Sequence, residues 1–158
     1  MTLLRPLRRD DLEELLVVQR EGAVLGLGHI FPQDDHPFPT DQLRERWSVE
    51  LEDPEVRCYA VVVYAAIEGF AATRDGEFLH FGTAVATWGS GLAGRVHDEV
   101  LATLHGQGHE HAWLRVYEEN HRATRFYARR GWQPTEVTSR STFAPYALLR
   151  RWEITLGD

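Results

Sequence analysis

Glu77-Phe78-Leu79-His80-Phe81-Gly82-Thr83-Ala84-Val85-Ala86-Thr87-Trp88-Gly89-Ser90-Gly91-Leu92-Ala93-Gly94 reads as a strand that runs into a glycine-rich loop and then into a helix. The apolar, β-prone run predicts the strand over Glu77–Val85. Past the glycines, Leu92, Val96, Val100 and Leu104 recur every four positions, with Leu101 beside them, which predicts an amphipathic helix. His105-Gly106-Gln107-Gly108 ends it. A glycine-rich loop lets the backbone approach an anion closely, and the first N–H groups of the helix favour negative charge there. A pyrophosphate is the natural occupant. Gly89, Gly91 and Gly94 also fit the dinucleotide pattern G-x-G-x-x-G. That fold would open with this unit and continue in parallel repeats. Here antiparallel hairpin signals come first, and only about 65 residues follow.

Outward from this stretch the chain alternates strands and helices. Leu3 to Leu7 predicts a short first strand. Asp10 or Asp11 offers a cap for a helix carrying Leu12, Leu15 and Leu16, with Gly22, Gly26 and Gly28 expected to break it. Residues 26–39, with Pro32, Pro37 and Pro39, read as irregular. Thr40 is the expected cap of a second helix running to about Leu51, with Leu43 and Trp47 on one face. Val56 to Tyr64 reads as a buried strand and Ile67 to Thr73 as the next, and Asp75-Gly76 is a hairpin turn into the strand at Glu77. Later come a strand at Trp113–Tyr117 and a helix from about His121 to Arg130, capped by Asn120 and stopped by Gly131. Two closing strands follow, about Gln133–Ser139 and Tyr146–Thr155. The order β-α-α-β-β-β-α-β-α-β-β predicts an α/β (α+β) fold, a mixed sheet flanked by helices.

The 158 residues fit one domain, taken as 1–158, and the 43% hydrophobic and 26% charged composition is that of a globular protein. A net charge of −7 argues against a function built on phosphate neutralisation along nucleic acid and is compatible with a cationic substrate. Cys58, the single cysteine, lies in an apolar run and reads as a small buried hydrophobe. The start is charged too early for a signal peptide, and no apolar stretch approaches the ~20 residues of a membrane span. A cytoplasmic protein is expected. His105, His109 and His111 have no recognised zinc spacing, so no metal is expected.

The second informative segment is Asn120-His121-Arg122-Ala123-Thr124-Arg125-Phe126-Tyr127-Ala128-Arg129-Arg130-Gly131-Trp132, of the form N-x-x-A-x-x-F-Y-x-x-x-G-W. Taken with Trp88-Gly89-Ser90-Gly91-Leu92-Ala93, it closely resembles the GNAT superfamily of N-acetyltransferases, whose acyl-CoA loop reads [Q/R]-x-x-G-x-[G/A]. The element order matches over about residues 2–155. The resemblance implies a GNAT-like single domain and acetyl-CoA as co-substrate. Backbone groups of the strand around Phe81, Thr83 and Val85 would bind the pantetheine arm. The N–H groups of Gly89, Ser90, Gly91, Leu92, Ala93 and Gly94 would cradle the pyrophosphate. Asn120 would hydrogen-bond the pantetheine region, and Tyr127 would protonate the departing thiolate. The strand at Trp113–Tyr117 would splay from the one at 81–85, with the cofactor in the gap. Trp88 stands where the family usually has Gln or Arg. Indole has one N–H and no charge, so it cannot reproduce a cationic phosphate contact. Packing on the cofactor and filling the core edge both remain open for it.

Acetyl transfer needs an uncharged amine, and freeing a lysine-like amine of pKa about 10.4 at neutral pH costs roughly 4 to 5 kcal/mol. A general base can take that proton. Glu77 is one candidate, at an offset similar to that of a base glutamate in histone-type members of the family. His80 is another, because its intrinsic pKa suits the task. The wall for the acceptor would come from the connection between the first two helices, where His29, Phe31, Asp34 and Asp35 are candidates, and from the last hairpin around Arg140. The acceptor would be an amine on a small molecule or a peptide, with neither nucleic acid nor membrane as partner and a homodimer left open. The alternative is a non-catalytic acyl-CoA-binding regulator on the same fold.

Overall fold

The computed structural model describes residues 2–157. Seven strands and four helices follow in the expected order: β1 (Leu4–Pro6), α1 (Leu12–Gly26), α2 (Thr40–Glu52), β2 (Val56–Val63), β3 (Ala66–Arg74), β4 (Glu77–Thr83), α3 (Leu92–Gly106), β5 (His111–Tyr117), α4 (His121–Arg129), β6 (Gln133–Arg140) and β7 (Leu148–Thr155). The sheet order is β1-β2-β3-β4-β5-β7-β6. All neighbours are antiparallel except β4 and β5, which the helical crossover through α3 makes parallel.

Helices cover both faces. On one face α3 and α4 bury Val96, Val100, Leu104 and Tyr127 against Leu114, Val116 and Trp152. On the other, α1 and α2 bury Leu15, Leu16, Leu43 and Trp47 against Ala60, Phe70 and Ala72. The period-four stripe of α3 and the Leu43/Trp47 face of α2 are what those contacts require.

Several boundaries differ from the sequence expectation, each for a physical reason. Gly22 does not break α1, which runs on to Gly26. A Cβ on Gly22 or Gly26 would stand 3.9 or 3.4 Å from the Trp88 ring. The Trp88 indole thus lies beside this flank of the helix, where a Cβ would meet it at ordinary contact distance. Asp11 does not cap α1 through its side chain. Its carboxylate accepts from the Arg8 N–H at 2.7 Å and from both Arg5 terminal nitrogens. Thr40 is the first residue of α2 and makes no cap bond. Tyr146 has φ 61° and lies in the turn before β7. The predicted strand to Val85 stops at Thr83, and Val85–Thr87 is a 3-10 turn.

Candidate active site

The central irregularity of the sheet is the gap between β4 and β5. Their only paired positions are Glu77 and Trp113, where the Trp113 N–H donates to the Gly76 carbonyl at 3.1 Å. Beyond that point the strands part, and β4 from Phe78 to Thr83 is paired on its β3 side alone. It therefore presents an unpaired edge inside the molecule, able to bond the amides of an extended ligand. A bulge adds to this: Ala72 faces His80 and Thr73 faces Phe78, so Leu79 is an extra residue on β4. The bulge lets Phe78 and Phe81 share a face, with ring centroids 5.2 Å apart, although they are three positions apart.

The open end of the gap is bounded by two helix starts. α3 follows β4 and α4 follows the parallel β5, so both N-termini lie at the same sheet edge, where α/β proteins bind anions. Gly89 and Gly91 have φ of 83° and 89°, a region that favours glycine, and nothing lies within 4 Å of where their Cβ atoms would stand. The loop is uncrowded at both glycines, and between them the Ser90 N–H donates back to the Thr87 carbonyl at 3.0 Å. Ser90 Oγ accepts the Leu92 N–H at 3.3 Å. Leu92 packs into the core, Ala93 is half-buried, and Gly94 makes room for the Arg130 guanidinium, which pairs with Asp98 at 3.0 Å. Trp88 donates its indole N–H to the Thr83 carbonyl at 3.0 Å, and the Arg122 guanidinium lies 3.5 Å from its ring centre. Val85, off the strand, stands in the turn between β4 and this loop.

Asn120 caps α4, accepting the Ala123 N–H at 3.2 Å through Oδ1, which leaves its amide N–H donors uncommitted. Tyr127 is buried against Phe126 and Trp132 in the core that α3 and α4 form with the sheet. Burial pushes its phenol above the ordinary range, so it stays protonated.

On the opposite face the two candidate bases part company. Glu77 is 2% exposed, and its carboxylate oxygens face Arg74 at 3.0 Å and Arg115 at 3.3 Å. It sits where β4 and β5 still pair. His80 lies past that point, on the edge of the gap, with Nε2 at 2.9 Å from both Glu50 oxygens and its ring 5.0 Å from that of Trp47. Burial pushes its pKa down from the ordinary value, against the opposing pull of Glu50. Arg46, one turn before Glu50, lies 3.7 Å from it and has no hydrogen-bond partner for its buried Nε among the described residues. Sequence reasoning missed Glu50, although its place one turn beyond Trp47 on the buried stripe of α2 was the available signal. It also passed over Arg122 inside the quoted motif.

His29 and Phe31 are brought to the end of β5. The His29 Nε2–H donates to the Glu119 carbonyl at 2.7 Å, and Phe31 meets Tyr117 edge-on at 5.5 Å. Tyr117 and Ser141 exchange a hydroxyl bond at 3.1 Å, which closes the last hairpin onto the same corner. Asp34, Asp35 and Arg140 are exposed, and none makes an ion pair among the described residues. No group of three or more His, Cys, Asp or Glu side chains is placed to hold a metal ion among the described residues, and none of the described helices is long and apolar enough to cross a membrane.

Residues 1–132 match the sequence model of the acetyltransferase (GNAT) family. Among solved structures, a GCN5-related N-acetyltransferase from Rhodopseudomonas palustris superposes with a TM-score of 0.78 at 12% identity, over 99% of each chain. Spermidine N-acetyltransferase from Vibrio cholerae, in complex with CoA and spermine, gives 0.71 at 19% identity, over 97% of this chain and 94% of that one. The PaiA N-acetyltransferase from Thermoplasma acidophilum, in complex with coenzyme A, gives 0.71 at 14%, over 94% and 96%. At these identities the likeness is one of fold. No curated protein matches the chain.

Proposed function

The chain belongs to the acetyltransferase (GNAT) family, whose members use acetyl-CoA as co-substrate, and we propose that it moves an acetyl group to a primary amine by direct attack of the amine on the thioester carbonyl. The observation that carries this reading is the gap between β4 and β5, with the open glycine loop of α3 at its mouth. The unpaired β4 edge from Phe78 to Thr83 fits the amides of a pantetheine arm, and the N–H groups of Gly89, Gly91, Ala93 and Gly94 fit a diphosphate, those of Ser90 and Leu92 being committed to the Thr87 carbonyl and the Ser90 hydroxyl. A bound thioester supplies the activated acyl group.

The residues of the chain divide the remaining work. His80 takes the amine proton, directly or through water. Its burial keeps the ring neutral at working pH, and Glu50 accepts the Nε2–H, which leaves Nδ1 as the basic atom. Glu77, with an arginine at each carboxylate oxygen, is the weaker candidate. As the new C–N bond forms and the C–S bond breaks, the Tyr127 hydroxyl donates to the sulfur. A thiol of ordinary pKa about 8.5 gives a fair leaving thiolate. A phenol pushed up by burial serves it better as a hydrogen-bond donor than as a full proton donor. Asn120 offers its amide donors to the arm, and His29 and Phe31 form part of the wall for the acceptor. The acceptor is an amine on a small molecule or a peptide; the spermine-bound structure with the same fold is in keeping with that class. Cys58, buried and with its thiol pushed up to about 12, takes no part.

Tyr127→Phe tests the reading, because it keeps the ring and removes only the hydroxyl. With an amine found by thiol-release screening, the single-turnover rate should fall about a hundredfold, the lower end of the range for general catalysis. Acetyl-CoA affinity should hold. Equal single-turnover rates for the two proteins would return Tyr127 to the core as an aromatic without a chemical role.

A further inference from the structure

Trp88 occupies the position before the glycine loop, and its one polar atom is already used. The indole N–H is committed to the Thr83 carbonyl at 3.0 Å. Its six-membered ring lies along the flank of α1 that carries Gly22 and Gly26. The ring therefore has a fixed place between α1 and the end of β4, and it carries the Arg122 guanidinium at 3.5 Å from its centre. Arg122 belongs to the first turn of α4, at the mouth of the gap. Among the described residues it has no carboxylate partner, whereas Arg130 across α3 is paired with Asp98. Partial burial pushes the Arg122 pKa down, yet a guanidinium remains charged throughout the working range. A guanidinium stacked on a ring has its N–H groups pointing outward in its own plane, the arrangement that meets phosphate oxygens two at a time.

We propose that Arg122, held on the Trp88 ring, is the cationic contact for the diphosphate of acetyl-CoA in this chain, with Trp88 as its platform. The inference rests on the cofactor site described under the proposed function. It assigns to a helix arginine the contact that the residue before the loop, being an indole, cannot make.

The experiment is calorimetric titration with acetyl-CoA and with acetyl-pantetheine, which ends before the diphosphate. Arg122→Gln should weaken acetyl-CoA binding about tenfold and leave acetyl-pantetheine unchanged. Trp88→Ala should cost a similar factor, and the double variant no more than either single one, because both remove the same contact. Trp88→Gln should lose less than Trp88→Ala, since its amide restores a polar partner. Arg57→Gln, on an exposed position of β2, controls for net charge. Circular dichroism checks folding, and the Arg122 variant alone decides the matter if Trp88→Ala fails to fold. Unchanged acetyl-CoA affinity in Arg122→Gln, an equal loss for both ligands, or additive losses in a folded double variant would overturn the assignment. Wild-type protein that binds no acetyl-CoA would overturn the cofactor reading itself, a result distinct from those three.

Discussion

In the proposed reaction His80 is the base, and its surroundings are what would make it one. Free histidine titrates near 6.5. Here burial pushes the value down and Glu50 pulls it back part of the way. The ring is neutral at pH 7 and its Nε2–H is directed at a carboxylate. In His80→Gln the value of kcat/KM should fall by ~10²–10⁴ and lose its acidic limb, which in the wild type lies below pH 6.5. Glu50→Gln should move that limb to lower pH, because it removes the group that raises the His80 pKa. Such a shift separates positioning from mere packing. A His80→Gln enzyme with the wild-type rate at pH 8 would exclude the histidine as base and bring Glu77 forward. The sequence singled out His80 by residue type alone. It could not show Glu50, because the pair is 30 positions apart and is made only when α2 lies across β4.

Helix α3 has a positive-φ glycine near each end, and the two should behave differently. Gly91 at the N-cap and Gly108 beyond the C-terminus have φ of 89° and 96°, and both would place a Cβ in open space. A β-branched residue at either position is strained, at a cost of order 1–3 kcal/mol. Gly91→Val and Gly108→Val should therefore lower the melting temperature by similar amounts. Only Gly91→Val should weaken acetyl-CoA binding, because only that side chain would fill the space before the first N–H groups of the helix. Calorimetry on the folded pair measures this, and equal affinities would move the diphosphate away from the loop. The element itself was readable in sequence. The four-residue period marked its buried face and the glycines marked its start. Which glycines serve the loop was not readable, since Gly94 makes room for Arg130, a neighbour brought to it only through space.

Across the whole molecule two histidines are folded in the neutral form. His97 is 2% exposed, accepts the Trp132 indole N–H at Nε2 at 2.9 Å, and faces Asp98 through Nδ1. A proton on Nε2 would set two donors against each other. Burial pushes its pKa down, as it does that of His80. The unfolded chain therefore binds protons near pH 6.5 that the native one refuses. Stability from these groups is constant above pH 6.5, and falls as pH drops below it until the lowered native values are passed. The melting temperature should hold from pH 8 to 7 and decline steadily between 6.5 and 5. His97→Gln, which keeps an acceptor for Trp132, should flatten part of that decline. A melting temperature unchanged down to pH 5 would contradict the neutral burial of both rings.

By itself the sequence determined the order of elements, the two buried helix stripes, the hairpin at Asp75-Gly76 and the family, because each of these is written in local period, turn chemistry or contiguous motif. Asn120 was legible as a cap for the same reason. The splaying of β4 from β5 followed from the family resemblance; only the tertiary structure decided the point at which they part, the end of β4 at Thr83, the exposure of Asp34 and Asp35, and the partners of Glu77, His80 and Trp88. Those properties depend on which distant surfaces meet. A carboxylate between two arginines and one facing a histidine are the same residue type in the chain, and their difference in charge environment exists only after the sheet has brought their neighbours together.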